Sequence, residues 1–383
     1  VADLVALDLP GGADFVRALI TCWDAGDAVA PIDPRLPDAE RRLVLDALRP
    51  SSLIGPDGRR SPLPGGAPVE PGDAVVLATS GTTGRPKGVV HTHASVAASA
   101  RATSAALEVD PAADRWLACL PLAHIGGLSV VLRSLVTGTP VEVHDGFRAD
   151  AVIAAARDRG ATLTSLVTRA LAQVPASLFR RVLIGGAAPP PDRPANVIAT
   201  YGMTETGSGI VYERTPLDGI ELRIDADGQI WVRGPMLLRC YRDGTDPKDA
   251  DGWFPTGDLG SFAPGDGRLM VHGRAGDVIV TGGEKVWPER VEAVLRTVPG
   301  VADVAVVGRA HPEWGHEVVA VVVPGPDGPP TLDALRGAVR GTLPVWCAPR
   351  AVVAVAGPLP RTGLGKLRRG VLAGHVAPAP SPR

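Results

Sequence analysis

The sequence predicts an α/β protein, with a large N-terminal domain of layered sheets and helices, a β-rich subdomain, and a small α+β C-terminal domain. Three observations carry this. Through residue 200, short apolar runs of strand length alternate with Ala-rich amphipathic stretches, the pattern of helices layered on a mostly parallel sheet. From about residue 217 the texture changes to short strands and turns: IELRI, QIWVRG and RLMVHG. A second break near GRAGD (273–277) opens a compact α+β pattern.

The elements follow in order. Residues 74–78 form an apolar run that resumes at 88–90, so LATSGTTGRPKGVV (77–90) is a loop held between strands. A helix is expected around 94–107, a strand at 115–120, a helix at 149–158 and a strand at 181–185. Beyond 277, Pro288 opens a helix with Val291, Val294, Leu295 and Val298 on one face, and Pro299–Gly300 ends it. Strands are expected at 302–307 and 317–323. Thr331 caps a helix running to about Leu343, and a strand follows at 351–355. The last residues, HVAPAPSPR (375–383), read as a disordered tail.

Composition excludes several classes. A length of 383 residues with 45% hydrophobic content suits two or three domains with sizeable cores. A net charge of −2 implies no nucleic-acid surface. Cys22, Cys119, Cys240 and Cys347 are scattered without CxxC spacing, as expected of free thiols in a reducing compartment. The first twenty residues lack a basic signal-peptide region, and no uncharged apolar stretch reaches the roughly 18 residues of a membrane span. A cytoplasmic protein is expected.

The loop at 77–90 offers donors at unusual density. Its glycines let backbone N–H groups approach an anion; Ser80, Thr82 and Thr83 add hydroxyls, and Lys87 a mobile charge. This is the chemistry of a phosphate grip. It is not a Walker A loop, because Pro86 precedes the lysine and Gly88 follows it. The competing reading is a flexible polar hairpin. LIGGAAPP (183–190) leaves room for a flat ligand; YGMTETGSG (201–209) offers an aromatic face, a hydroxyl and a carboxylate. WFPTGDLG (253–260) places Asp258 on a turn, and RTGLGKLRR (361–369) places Lys366 on a Gly-flanked loop. Each alone favours structure over function, since an aspartate after Thr-Gly is commonly turn chemistry and a lysine in a basic tail is commonly solvated. DADG (225–228) begins like a calcium loop, but Met236 stands where the bidentate carboxylate is required. No GxSxG elbow supports a serine hydrolase.

Together and in this order, TSGTTGRPKG, YGMTET, TGD, GRAGDVIVTGGEKVWPERVE and PRTGLGK resemble the motifs of the acyl-adenylate-forming (AMP-binding) ligases over residues 79–366. The resemblance implies activation of a carboxylate by ATP to an acyl-AMP, then displacement of AMP by a thiol, with Mg²⁺ as cofactor. It implies that Thr79, Ser80, Gly81, Thr82, Thr83 and Lys87 hold the β- and γ-phosphates. Tyr201 and Gly202, with Gly185, Gly186 and Ala187, would line the adenine pocket. Thr204 would contact the α-phosphate and Glu205 would ligate Mg²⁺. Asp258 would accept from the ribose hydroxyls with Arg274 beside it, and Lys366 would bridge carboxylate and α-phosphate. The family's architecture divides this chain into an AMP-binding domain at 1–273, a hinge at 274–277 and a mobile domain at 278–374. Family members often carry a charged or polar residue where Gly276 stands, so a side-chain role at the hinge is not implied. Gly282, Gly283 and Glu284 would line the thiol's tunnel.

No carrier-protein segment follows residue 366, so free coenzyme A is the expected thiol. LPLAHIGGLSVVLRSL (120–135) lacks the aspartate of the amino-acid-activating branch. This stretch, with Arg133–Ser134–Leu135 and TYGMTETGSGIVYERTPLDGIELRI, most resembles short actinobacterial o-succinylbenzoate–CoA ligases of menaquinone biosynthesis, although those often carry Ser at Gly126. The resemblance implies an acyl pocket at His124, Gly126, Gly207 and Ser208, a cation or hydroxyl for the succinyl carboxylate, and a homodimer. Rival readings are another aryl- or fatty-acyl-CoA ligase, a silent adenylate-binding homologue, and an enzyme that loads a separate carrier protein.

Overall fold

Runs of Val, Leu and Ala that are apolar on both sides demand layers above and below, and the chain supplies them. The computed structural model describes residues 2–80, 86–187, 189–190, 192–326, 328–361 and 367–376. The chain packs as two units, residues 1–222 with 232–254, and residues 223–231 with 255–383.

The first unit contains two seven-stranded sheets. One runs in the order Cys240–Tyr241, Pro86–Thr92, Asp73–Ser80, Ala28–Pro31, Leu4–Leu7, Ser52–Ile54 and Arg60–Pro62. Its centre is parallel and both edges are antiparallel. The other runs Thr215–Pro216, Ser208–Tyr212, Val197–Met203, Arg181–Ile184, Leu163–Leu166, Trp116–Ala118 and Val141–Val143. It is parallel except for the hairpins at its first edge. The predicted parallel sheet is therefore two, the first with antiparallel pairs at both edges and the second at one.

Helices His93–Ala106 and Ile125–Thr137 pack on each other; the first touches both sheets and the second packs on the sheet that ends at Val141–Val143. Thr92 caps the first in a capping box: its hydroxyl accepts from Ser95 N at 3.1 Å, and the Ser95 hydroxyl accepts from Thr92 N at 3.1 Å. Gly138, at φ 73°, ends the second in the left-handed conformation. Val75, Val76, Leu77 and Val89 are wholly buried, each worth about 1.5–3 kcal/mol on burial, so the strands flanking the Gly/Thr-rich loop are firmly held.

The second unit holds most of a four-stranded sheet, Glu221–Ile224, Gln229–Arg233, Phe254–Phe262 and Leu269–Arg274, and then a long hairpin, Val301–His311 with Gly315–Pro324. The hairpin is buried on both faces. Val304, Val306, Val318, Ala320 and Val322 meet helices Pro288–Leu295 and Leu332–Arg340; Ala305, Val307, Val319 and Val321 meet Leu372 and Val376. Thr331 caps its helix as predicted, accepting from Ala334 N at 3.2 Å, but that helix ends at Arg340 rather than Leu343. The preceding helix stops at Leu295, and Val298 reaches the core from the turn beyond it. Among the described residues no helix is long and apolar enough to cross a membrane.

Candidate active site

Strand register sets the first part of the site. Asp73–Ser80 runs antiparallel to Pro86–Thr92 with Thr79 opposite Lys87 and Ser80 opposite Pro86, which draws together both ends of the Gly/Thr-rich loop. Gly81, Thr82, Thr83 and the Ser80 side chain lie outside the described residues. The Thr79 hydroxyl donates to the Lys87 carbonyl at 3.4 Å. Lys87 Nζ lies 5.1 Å from the ring centroid of Tyr241, whose hydroxyl donates to Glu205 Oε1 at 3.2 Å.

Glu205 occupies a one-turn 3₁₀ helix, Thr204–Thr206, between strands Val197–Met203 and Ser208–Tyr212. The Thr206 hydroxyl accepts from Met203 N at 2.9 Å and donates to Ser208 O at 2.7 Å. Gly207, at φ 68°, closes the turn. A Cβ on Gly202 would stand 2.1 Å from Ser208 O, so only glycine permits this close pairing. Beneath the turn, His91 Nε2 lies 2.7 Å from the Thr204 carbonyl and Nδ1 3.3 Å from Ser95 Oγ. The carbonyl can only accept, so Nε2 carries the proton.

Tyr201 stands one position beyond Thr200 on the same strand. The parallel register of Ile184 with Ala199 sets Gly185 against Thr200, where a Cβ would come 2.7 Å from the Thr200 hydroxyl. Gly186 follows at φ 81°. The structure thus brings Gly185, Gly186 and Ala187 beside the strand that bears Tyr201 and Gly202.

The acyl-side residues surround helix Ile125–Thr137. His124 sits at its N-cap, and its carbonyl accepts from Gly127 N and Leu128 N, both at 3.0 Å. Burial pushes the imidazole pKa down, opposed by Asp33. Gly126 meets only Leu120 Cδ1, at 3.7 Å, whereas a Cβ on Gly127 would stand 2.4 Å from Leu120 O. Gly127 is therefore the glycine that the helix packing requires. About two helical turns further, Arg133 is 3% exposed. Its Nη2 donates to Ser208 Oγ at 3.0 Å, and Ser208 Oγ lies 3.2 Å from Ser99 Oγ. Among the described residues Arg133 Nε and Nη1 have no hydrogen-bond partner, and its guanidinium carbon lies 5.3 Å from the Trp116 ring centroid. Burial pulls its pKa below the usual arginine value. Val96, Ser99, Ile125, Leu132, Arg133 and Gly207 line one narrow cavity.

The second unit holds the remaining candidates. Asp258, expected on a turn, lies instead within strand Phe254–Phe262, cross-strand from Arg274. Gly257 adopts φ 71° inside the strand, which lets a Thr-Gly-Asp sequence with turn character remain in the ladder. Asp258 Oδ1 pairs with Arg274 Nε at 2.8 Å, and Arg274 Nη1 donates to Thr256 O at 3.2 Å. Gly276 lies in a short 3₁₀ turn with open space where a Cβ would point. Gly282 and Gly283, at φ 58° and 85°, form the two-residue turn between Ile279–Thr281 and Glu284–Val286. Two successive positive φ angles there demand glycine on structural grounds alone. Lys366 lies outside the described residues, whose flanks Arg361 and Leu367 form an antiparallel bridge.

Comparison with known proteins identifies the family. The AMP-binding enzyme model matches residues 59–242, and the AMP-binding enzyme C-terminal domain model matches residues 290–366. A probable 2-succinylbenzoate–CoA ligase of Mycobacterium tuberculosis is 42% identical over 381 residues, covering 92% of this chain and 97% of the relative. This chain belongs to the AMP-binding enzyme family. The o-succinylbenzoate CoA synthetase MenE of Bacillus subtilis, solved with the acyl-adenylate OSB-AMP, superposes with a TM-score of 0.85 at 28% identity, over 97% of this chain and 88% of that one. The same protein solved with ATP and magnesium ion gives 0.83 at 28% identity, over 96% and 88%.

An AMP-binding enzyme needs a hard-cation ligand near its phosphates. Among the described residues no three His, Cys, Asp or Glu side chains gather as a metal cage. One carboxylate at Glu205 plus phosphate oxygens is the donor set Mg²⁺ commonly takes, so these residues fit that ion. Sequence reasoning assigned no role to Tyr241, His91 or Gly127, and it named Arg133 only within a resembling stretch, without identifying it as the expected cation. Tyr241 lies 36 residues from Glu205 with no local pattern joining them.

His91 is wholly buried, and burial pushes its pKa from 6.5 down to about 4. Unfolding restores the ordinary value, so between about pH 6.5 and 4 the unfolded chain binds a proton that the folded chain refuses. The neutral side chain's contribution is present in full above about pH 6.5 and falls by up to about 3 kcal/mol as the pH drops toward 4. Denaturant unfolding of His91→Gln should show a shallower dependence on pH over this interval. His93 and His124, shifted the same way by burial, will keep some slope. A slope unchanged from the parent would mean that His91 carries no such shift.

Proposed function

We propose that this AMP-binding enzyme is an acid–thiol ligase that uses ATP and Mg²⁺ to activate o-succinylbenzoate as its acyl-adenylate and transfers the acyl group to coenzyme A. The observation that carries the choice of acid is Arg133. Its guanidinium is buried, has two nitrogens without a hydrogen-bond partner among the described residues, and lines a narrow cavity together with His91, two serines, Gly207 and apolar side chains. Burying an uncompensated cation is costly, and a carboxylate remote from the reacting one would compensate it. A dicarboxylate provides that group. Benzoate and fatty acids do not, and this disfavours the other aryl- and fatty-acyl-CoA ligase readings.

In the first half-reaction a carboxylate oxygen attacks the α-phosphorus and pyrophosphate leaves. In the second the thiol sulfur attacks the acyl carbon and AMP leaves. Lys87 and the loop of Thr79, Ser80, Gly81, Thr82 and Thr83 hold the outer phosphates, and Thr204 orients the α-phosphate. Tyr201, with Gly202, Gly185, Gly186 and Ala187, receives adenine; Asp258, steadied by Arg274, accepts from the ribose. Lys366 donates across carboxylate and α-phosphate. Magnesium, held at Glu205, would neutralise phosphate charge. His124, Gly126, Gly207 and Ser208 border the acyl group, and Gly282, Gly283 and Glu284 the thiol. Residues 274–277 form the hinge between an N-terminal domain at 1–273 and a mobile domain at 278–374. A cytoplasmic location agrees with the four buried free cysteines, and a homodimer with the family resemblance.

Arg133→Met tests the reading. Removing a hydrogen-bonded charge contact to substrate should lower kcat/KM for o-succinylbenzoate about a hundredfold, with the KM for ATP nearly unchanged. The discrimination of o-succinylbenzoate over benzoate in pyrophosphate release should collapse by the same factor. Equal losses with both acids would remove Arg133 from substrate recognition.

A further inference from the structure

One tyrosine contacts two oppositely charged side chains proposed to serve the magnesium–nucleotide complex. The Lys87 ammonium lies over the ring of Tyr241, and the Tyr241 hydroxyl donates to Glu205 Oε1. Among the described residues, Lys87 forms no ion pair with a carboxylate. A lysine and a glutamate free to meet would neutralise each other, leaving neither charge for phosphate or cation. The ring attracts the ammonium through its π face while the hydroxyl fixes the carboxylate, so both charges are held apart and aimed.

The backbone around Tyr241 is built for this. Strand Cys240–Tyr241 pairs with Pro86–Thr92, setting Tyr241 opposite Val89. Arg239 N donates to Val90 O at 2.8 Å and Arg242 N to Gly88 O at 2.7 Å. Three cations then anchor the flanks. Arg239 grips Asp73 at 2.8 and 2.9 Å, and Arg242 donates to the carbonyls of Leu48 and Pro68, both at 2.8 Å. Lys248 donates to the carbonyls of Leu238 and Arg239 at 2.9 and 2.8 Å. These side chains are spent on protein groups, so the tyrosine they frame is pre-positioned.

We propose that Tyr241 is a positioning residue for the metal–nucleotide complex, its hydroxyl orienting the Glu205 carboxylate and its ring orienting the Lys87 ammonium. The proposal rests on the reading of this site as a magnesium–ATP site. Two variants separate the contributions. Tyr241→Phe keeps the ring and removes the hydrogen bond to Glu205. It should raise the Mg²⁺ concentration needed for half-maximal ATP–pyrophosphate exchange about fivefold to tenfold. By calorimetry its affinity for ATP in EDTA should match the parent. Tyr241→Leu removes the ring as well and should also weaken ATP binding in EDTA, by about threefold. Thermal unfolding of both variants identifies any that fail to fold.

A folded Tyr241→Phe with the parent's magnesium dependence would overturn the link to Glu205. A folded Tyr241→Leu with the parent's affinity in EDTA would overturn the link to Lys87. Failure of the functional reading is distinguishable, because it would show in the parent as ATP binding indifferent to magnesium. The calorimetric comparison needs no acid substrate and holds whichever carboxylate the enzyme activates.

Discussion

Alanine at Asp258 should raise the KM for ATP about a hundredfold and move the KM for the acid by less than about threefold. The carboxylate is 7% exposed, lies inside a strand rather than on a flexible turn, and is fixed by Arg274 at 2.8 Å. Its own amide donates to the Thr256 hydroxyl at 3.1 Å, which itself donates to Ile230 O at 2.7 Å. In its proposed role as acceptor for two ribose hydroxyls, a carboxylate held this rigidly pays little ordering entropy, so its removal should cost most of the contact. Arg274 keeps its bond to the Thr256 carbonyl in the variant, which limits collateral damage to the strand. Asp258→Asn, retaining shape and one acceptor, should fall between parent and alanine. A change confined to the KM for the acid would end the ribose assignment.

Lys366→Ala should cost at least about a thousandfold in ATP–pyrophosphate exchange while leaving thiolysis of supplied acyl-AMP within about threefold. In the role proposed for it, this one cation bridges two anions in the first step and has no such task in the second. The described residues on either side of it are well anchored. Arg361 pairs with Asp303 at 2.6 Å, and Arg368 N donates to Pro360 O at 2.9 Å. Arg369 meets Asp277 at 3.0 Å and both Glu289 and Glu292 at 2.9 Å. An alanine at 366 thus changes the reacting group without releasing the segments that flank it. Equal loss in both half-reactions would show that Lys366 acts otherwise.

What was legible in the sequence was what repeats at short range. Period and punctuation located the strands around the Gly/Thr-rich loop, the Thr331 cap and the break near 217. The helix ends at Leu295 and Arg340 were overrun because Val298 and Leu343 still pack inward from the turns beyond. Asp258 was misplaced because Thr-Gly-Asp has turn chemistry, whereas Gly257 absorbs the positive φ without leaving the ladder. The site's polar residues came from motifs, but their supports did not. His91, Tyr241 and Arg133 act on partners 75 to 113 residues or, for Tyr241, 36 residues away, joined only by strand pairing and helix packing. Gly282 and Gly283 show the converse, a motif whose glycines the turn would require in any case.

Gly276 carries a practical consequence. Its φ is not positive and nothing lies within 4 Å of where a Cβ would stand, so any side chain can be accommodated there in this conformation. The four native cysteines are all buried, leaving their thiols shielded from solvent reagents. A cysteine introduced at 276 would therefore be the reactive handle for a maleimide dye or spin label. A reporter grafted at that one position would test directly whether the proposed hinge turns between half-reactions, without first stripping the native thiols from the enzyme.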